Sequence, residues 1–143
     1  MKRHNARIIA VMTLYNIDLN NYDYEEALKC FESIKNLEED YEYQVEIEYE
    51  YSELLVKGVL TNLEIVDTII SNNLTKYTID RLSFVDRAII RLATYEMKCM
   101  ALAKEVAIDE ALLITREYSS LENDAQVKFN NKLLDSIAKS IYE

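Results

Sequence analysis

Apolar residues recur at spacings of three and four along most of this chain, and each such run predicts an amphipathic helix. From Arg3 to about Asn20, the residues Ile8, Val11, Met12, Tyr15 and Leu19 form one stripe, which puts Arg3, Asn5 and Arg7 on the opposite, solvent-facing side. A second helix is predicted from Tyr24 to Leu37, with Ala27, Leu28, Phe31 and Ile34 inward. Its first turn carries Glu25 and Glu26, where the helix dipole favours acids. Residues 41–51, YEYQVEIEYEY, alternate apolar and polar positions in the period of an exposed strand. The helical spacing that continues through Leu54, Leu55, Val59, Leu63, Val66 and Ile70, together with the lack of a partner strand, decides for a helix from about Tyr43, broken near Thr61 or Asn62. Gly58 falls inside it, where glycine costs about 1 kcal/mol relative to alanine, and a close helix crossing explains its tolerance. Ser83 followed by Asp86 marks the start of the next helix, expected to be the most buried, with Val85, Ala88, Ile89, Leu92 and Ala93 inward. Two more follow, from about Lys104 to Tyr118 (Val106, Ile108, Ala111 and Leu112 inward) and from about Asn123 to Tyr142 (Phe129, Leu133, Ile137 and Ile141 inward), joined by a polar loop around Ser119 to Asn123.

Composition supports an all-α bundle. One glycine and no proline in 143 residues leave little material for the tight turns of a sheet protein. The same shortage excludes a glycine-rich phosphate loop or a dinucleotide fingerprint. No apolar run reaches the roughly 18 residues needed to span a membrane, and the opening MKRHNAR is not followed by a signal-like apolar stretch, so a cytoplasmic protein is expected. Cys30 and Cys99 are far apart in sequence and read as two reduced thiols. With no repeat or linker, residues 1–143 read as one domain.

Charge narrows the function further. The net charge of −10 divides into +3 over residues 1–17, −11 over 18–53 and −2 over 54–143. General nucleic-acid affinity is disfavoured by such a balance, and only a local basic site is left. Catalysis of the Ser-His-Asp or Cys-His kind needs a base beside the nucleophile, yet the sole histidine is His4, in the basic N-terminus. No histidine or cysteine cluster and no carboxylate loop offers a metal site, and the acids lie in long solvated runs, so neither an enzyme nor a cofactor is expected. Lys2, Arg3, Asn5 and Arg7 at one helix end can pair with RNA phosphates or base edges. The same residues also fit a charged, soluble helix end. Eleven tyrosines offer rings for unpaired bases, although most are needed to line helix interfaces.

Longer matches carry more. VDRAIIRLATYEM, from Val85 to Met97, resembles the central motif of the NusB family, V-[DE]-[RK]-A-[IV]-L-R-[LI]-A-x-Y-E. VAIDEALLI from Val106, LLVKGVLTN from Leu54, ARIIAVMTLY from Ala6 and KFNNKLLD from Lys128 resemble that family's VAINEA, LLxGVxxN, ARxxAxQALY and KFVNGVLD segments, in family order and over nearly the whole length. The resemblance implies six to seven helices in two small bundles packed into a single domain. It also implies binding of boxA-type single-stranded RNA, jointly with the ribosomal protein NusE, within the transcribing RNA polymerase complex, so that ribosomal RNA operons are read through. Carried over residue by residue, it assigns RNA contact to Arg3, Arg7, Arg91 and Phe129, beside Lys2 and Asn5 of the same basic end, and partner contact to Asp86 and Tyr118. The loop from Ser119 to Val127 is longer than usual and has no obvious match to the family's acidic partner-contacting position, which leaves Asp124 as the candidate. For Asp86 helix capping is the other reading, for Arg91 a paired charge, and for Tyr118 and Phe129 core packing. The chain departs from the family pattern at His4 and Asn5, where arginine is usual, and at Met12, Ala103, Asn130 and Lys132. Those departures point to weakened RNA affinity and an altered partner surface. They also sustain a rival reading, a protein-interaction module that homodimerises through the same fold.

Overall fold

A computed structural model describes residues 1–40, 45–119 and 124–143 and holds seven α-helices, one 3-10 turn and no strand among the described residues. The helices are α1 (Lys2–Asn20), α2 (Tyr24–Glu39), α3 (Tyr49–Thr61), α4 (Leu63–Asn73), α5 (Phe84–Met100), α6 (Lys104–Tyr118) and α7 (Ala125–Tyr142), with the 3-10 turn at Ile79–Arg81. The all-α expectation therefore holds, and no described helix is long and apolar enough to cross a membrane. Two compact units divide the chain, Met1–Thr61 and Asn62–Glu143.

In the first unit α1 packs on both α2 and α3. Asn21 ends α1 in the left-handed conformation (φ 54°, ψ 45°), which asparagine tolerates, and its N–H returns to Asp18 and Ile17 carbonyls. Asp23 and Glu26 then form a capping box for α2, each side chain accepting from the other's backbone N–H at 2.9 and 3.0 Å. Because α1 is covered on two sides, its buried face is wide: Ala6, Arg7, Ile9, Ala10, Val11, Thr13, Leu14 and Ile17. The stripe expected from the sequence lies on the flank of that face, with Ile8, Met12 and Tyr15 half-buried and Leu19 exposed. Small residues bring α1 close to α3, where the Ser52 hydroxyl donates to the Ala6 carbonyl at 2.9 Å. Gly58 is buried in α3.

Helical spacing predicts a start for α3 near Tyr43, a residue outside those described. In the structure it starts at Tyr49, and Val45–Glu48 are non-helical. The reason is tertiary: the backbone of that segment is taken up by the N-terminus of α1, with Asn5 Nδ2 donating to the Glu46 carbonyl (3.0 Å) and the Glu48 N–H to the Lys2 carbonyl (3.3 Å). The expected break near Thr61 or Asn62 is present, since α4 begins at Leu63.

In the second unit α5 contacts α4, α6 and α7, so it is buried around most of its circumference, including Asp86, Arg87, Thr94 and Glu96. It contributes more buried residues than any other described helix, as expected. Ile70, Ile89, Ile90, Leu134 and Ile137 are fully enclosed, each contributing roughly 1.5–3 kcal/mol by removal from water. Val106, expected inward, is exposed, because α6 turns Ala107, Ile108, Ala111 and Ile114 to the core instead. The last helix begins at Ala125 rather than Asn123. Most of the preceding loop, expected around Ser119 to Asn123, lies outside the described residues.

Candidate nucleic-acid interface

The first helix opens with Arg3 and Arg7 one turn apart, in line with Ala10, Leu14 and Ile17 of the buried face. Arg7 therefore does not project into solvent as its sequence placement suggested. Its residue exposure is 4 %, and its guanidinium lies 5.5 Å from the centre of the Tyr51 ring. Helical spacing carries the signal, since positions 3, 7, 10, 14 and 17 form a continuous stripe, although the charge of Arg7 points the other way.

Arg3 is exposed and engaged twice. Its Nε and Nη2 donate to the two carboxylate oxygens of Glu48 at 3.1 and 3.0 Å, and its guanidinium covers the Tyr51 ring at 4.2 Å. The Lys2 ammonium lies 3.8 Å from a Glu46 carboxylate oxygen; both side chains are well exposed, so this pair contributes little. The basic end anticipated from the sequence thus exists as a unit of Lys2, Arg3, Asn5 and Arg7, but all four meet residues 46–51 or their backbone. Glu46, Glu48 and Tyr51 went unnoticed because they lie more than forty residues away and looked like part of a uniformly acidic segment.

The Arg3–Glu48 bond raises the Arg3 pKa and lowers that of Glu48, with the nearby charges of Arg3, Lys2 and Arg7 adding to the second effect. A carboxyl whose folded pKa lies below its unfolded value adds stability above the ordinary carboxylate range and loses it as pH falls through the folded value. The gap in melting temperature between the wild type and Glu48→Gln should accordingly be widest near neutrality and shrink as the pH falls through and below the ordinary carboxylate range. A gap independent of pH over that window would contradict the linkage.

The second unit presents a separate set of groups. Arg91 on α5 makes a bidentate pair with Asp67 on α4, both bonds 2.8 Å, with only 15 % of the arginine side chain exposed. Phe129 on α7 is half-buried and tilted at 58° against Tyr77, ring centres 6.2 Å apart. This ring pair separates two open grooves, one of about 290 Å³ reaching Asn73, Lys132 and Ser136, the other of about 410 Å³ reaching Arg81, Asp86 and Gln126. Tyr77 was missed by the sequence reading, since the TKYTID stretch has no periodicity to single it out.

Asp86 is buried, at 4 % exposure, at the inner edge of the second groove. It accepts from the Ser83 hydroxyl (2.7 Å), the Ser119 hydroxyl (2.6 Å) and Asn130 Nδ2 (3.1 Å), while Ser83 Oγ caps the Asp86 N–H (3.2 Å). Asn130, fully buried, also donates to Thr115 Oγ1 and accepts from Gln126 Nε2, both at 3.1 Å. One carboxylate thereby ties the start of α5 to the end of α6 and to α7. Tyr118 and Asp124 lie at the surface around that point, Tyr118 half exposed and Asp124 just ahead of α7.

Comparison with known proteins places this arrangement. The model of the NusB family matches residues 4–139. The transcription antitermination protein NusB of Listeria monocytogenes serotype 4a is 37 % identical over 139 residues, spanning 96 % of this chain and 97 % of the relative. Among solved structures, NusB of T. maritima superposes with a TM-score of 0.77 at 30 % identity, covering 97 % of this chain and 92 % of that one. A crystal structure of antitermination factors NusB and NusE in complex with double-stranded RNA superposes with a TM-score of 0.79 at 25 % identity, covering 96 % of both chains.

Proposed function

The chain belongs to the NusB family, and from that premise we propose that it is a transcription antitermination factor: it binds boxA-type single-stranded RNA together with ribosomal protein NusE and promotes read-through of ribosomal RNA operons within the transcribing polymerase complex. The observation that carries this reading is a family match over nearly the whole chain combined with a clustered basic end on an otherwise acidic protein. RNA is met in the first unit by Lys2, Arg3 and Asn5, with Arg7 buried behind them against Tyr51, and in the second by Arg91 and Phe129. Tyr118 and Asp124 contact the partner directly, and Asp86 acts from beneath the surface by holding α5, α6 and α7 in place. The strong negative charge elsewhere repels nonspecific nucleic acid and complements a basic ribosomal protein. Residues 1–143 serve as one RNA-binding domain, cytoplasmic and without catalytic activity, since the only histidine sits in the basic end and the buried carboxylate of Asp86 is used for structure.

Fluorescence anisotropy of a labelled boxA-like RNA against a scrambled RNA of equal length, with and without purified NusE, tests this. Preferential binding that tightens with NusE is the expected result. Arg3→Ala should weaken boxA binding about fivefold, roughly 1 kcal/mol for one charge-assisted contact, and flatten the salt dependence by about 0.7 in log–log slope. Failure to bind either RNA with the partner present, or a light-scattering mass that doubles with concentration, would instead favour the homodimeric interaction module.

A further inference from the structure

The basic end of α1 is occupied by the chain itself, and the manner of occupation resembles that of a nucleic-acid backbone. Arg3 presents its side edge, Nε and Nη2, to two oxygens of one carboxylate, the same two-pronged arrangement in which guanidinium receives two oxygens of a phosphate. Beneath the guanidinium lies the Tyr51 face, which fixes its plane. Two residues earlier, Glu46 offers a second anion to Lys2. The two carboxylates are not there by chance collision: Asn5 holds the Glu46 carbonyl and the Lys2 carbonyl holds the Glu48 N–H, so Val45–Glu48 is laid along the first turn of α1 by backbone bonds. That clamping keeps the acids at high effective concentration beside the basic side chains.

We propose that Glu46 and Glu48 form an internal phosphate mimic that competes with RNA for Lys2 and Arg3. This rests on the RNA-binding reading above and concerns its regulation. An RNA phosphodiester reaching Arg3 must displace the Glu48 carboxylate, so an isolated phosphate contact gains little. Only an RNA that makes further contacts elsewhere on the protein shifts the balance. The device turns a short basic site into a selective one: it suppresses weak, sequence-independent capture of RNA and leaves joint contacts to decide binding. Because the bond is exchanged rather than created, wild-type binding also gains less from Arg3 than its charge alone would provide.

The test measures anisotropy of boxA-like and scrambled RNA with the full-length wild type, Glu48→Gln, the double variant Glu46→Gln/Glu48→Gln, and Glu50→Gln. Glu50 is exposed, two residues further along, and removes the same unit of charge without touching Arg3. Glutamine keeps the size of the side chain but accepts guanidinium far less strongly. The expected result is tighter binding by Glu48→Gln, about two- to fivefold, with a larger gain for the double variant and proportionally more for the scrambled RNA. Glu50→Gln should stay near the wild type, and the gain should vanish when Arg3→Gln is added to Glu48→Gln. Equal gains for Glu48→Gln and Glu50→Gln would overturn the proposal, since total charge would then explain them. Wild-type binding left unchanged by Glu48→Gln would overturn it as well, while leaving the RNA-binding function intact. Absence of binding by every variant, with NusE present, removes the RNA reading itself and the proposal with it.

Discussion

Replacing Asp86 by leucine is expected to lower the unfolding free energy by about 3 kcal/mol, a fall of roughly 10 °C in melting temperature for a chain of this size. The buried carboxylate accepts three side-chain hydrogen bonds, from the exposed Ser83, the half-buried Ser119 and the fully buried Asn130. Leucine has the same branching but bulkier ends and accepts no bond. Ser83 can turn to water, so the cost of about 1–3 kcal/mol per buried donor falls on Asn130 and in part on Ser119, with overpacking by the larger side chain adding to it. Asn130 retains Thr115 and Gln126, which keeps the loss below a simple sum of three bonds. Asp86→Asn, which keeps one acceptor oxygen, should lose about half as much. Thermal melts followed by circular dichroism decide the matter, and a leucine variant within about 1 kcal/mol of the wild type would show that the network contributes little. NusE binding measured beside the melts separates two roles for this residue. A surface partner contact would affect NusE binding with stability intact, whereas the observed geometry predicts that both fall together.

Arg7→Ala is expected to destabilise the protein by about 2 kcal/mol, while Arg3→Ala leaves stability nearly unchanged. Both arginines lie near the Tyr51 ring, but Arg7 is buried against the face that α1 turns to the rest of the fold, and alanine there removes packing from a whole side chain. Arg3 stays at the surface, and its exposed ion pair with Glu48 is of the kind that contributes little to stability. RNA titrations of Arg7→Ala consequently need to be made well below its melting temperature, where the folded fraction matches the wild type. An unaltered melting curve for Arg7→Ala would mean that the guanidinium is dispensable to the fold and available to a ligand.

The contrast between the two arginines shows how much of the site could be read in advance. That the N-terminus holds the clustered positive charge follows from the order of residues alone, and so does its position at a helix end. Which of the arginines faces solvent does not follow, because it depends on which neighbours cover α1. With α2 and α3 both packed on it, the buried face widens to include position 7. Asp86 is a similar case. Its place after Ser83 identifies the start of α5, and the cap forms as expected. The bonds from Ser119 and Asn130 join residues 33 and 44 positions away, which no local pattern encodes. Asn130, which read as a departure from the family's valine, proves to be a member of that network, satisfied on both its amide atoms.

What the sequence by itself determined was the helical class, the approximate extent of most helices, the break near residue 61 and the family. Local spacing, capping residues and the near absence of glycine and proline act over a few residues at a time, and motif order does not depend on three-dimensional contacts. Tertiary structure alone decided the start of α3, the orientation of Arg7 and the pairing of Glu46 and Glu48 with the basic end. An alternating run such as YEYQVEIEYEY has no helical preference strong enough to hold Val45–Glu48 against competing partners. For Glu46 and Glu48 those partners were supplied by α1, whose first-turn residues Lys2 and Asn5 bonded to their backbone and brought two acids onto the protein's most basic surface.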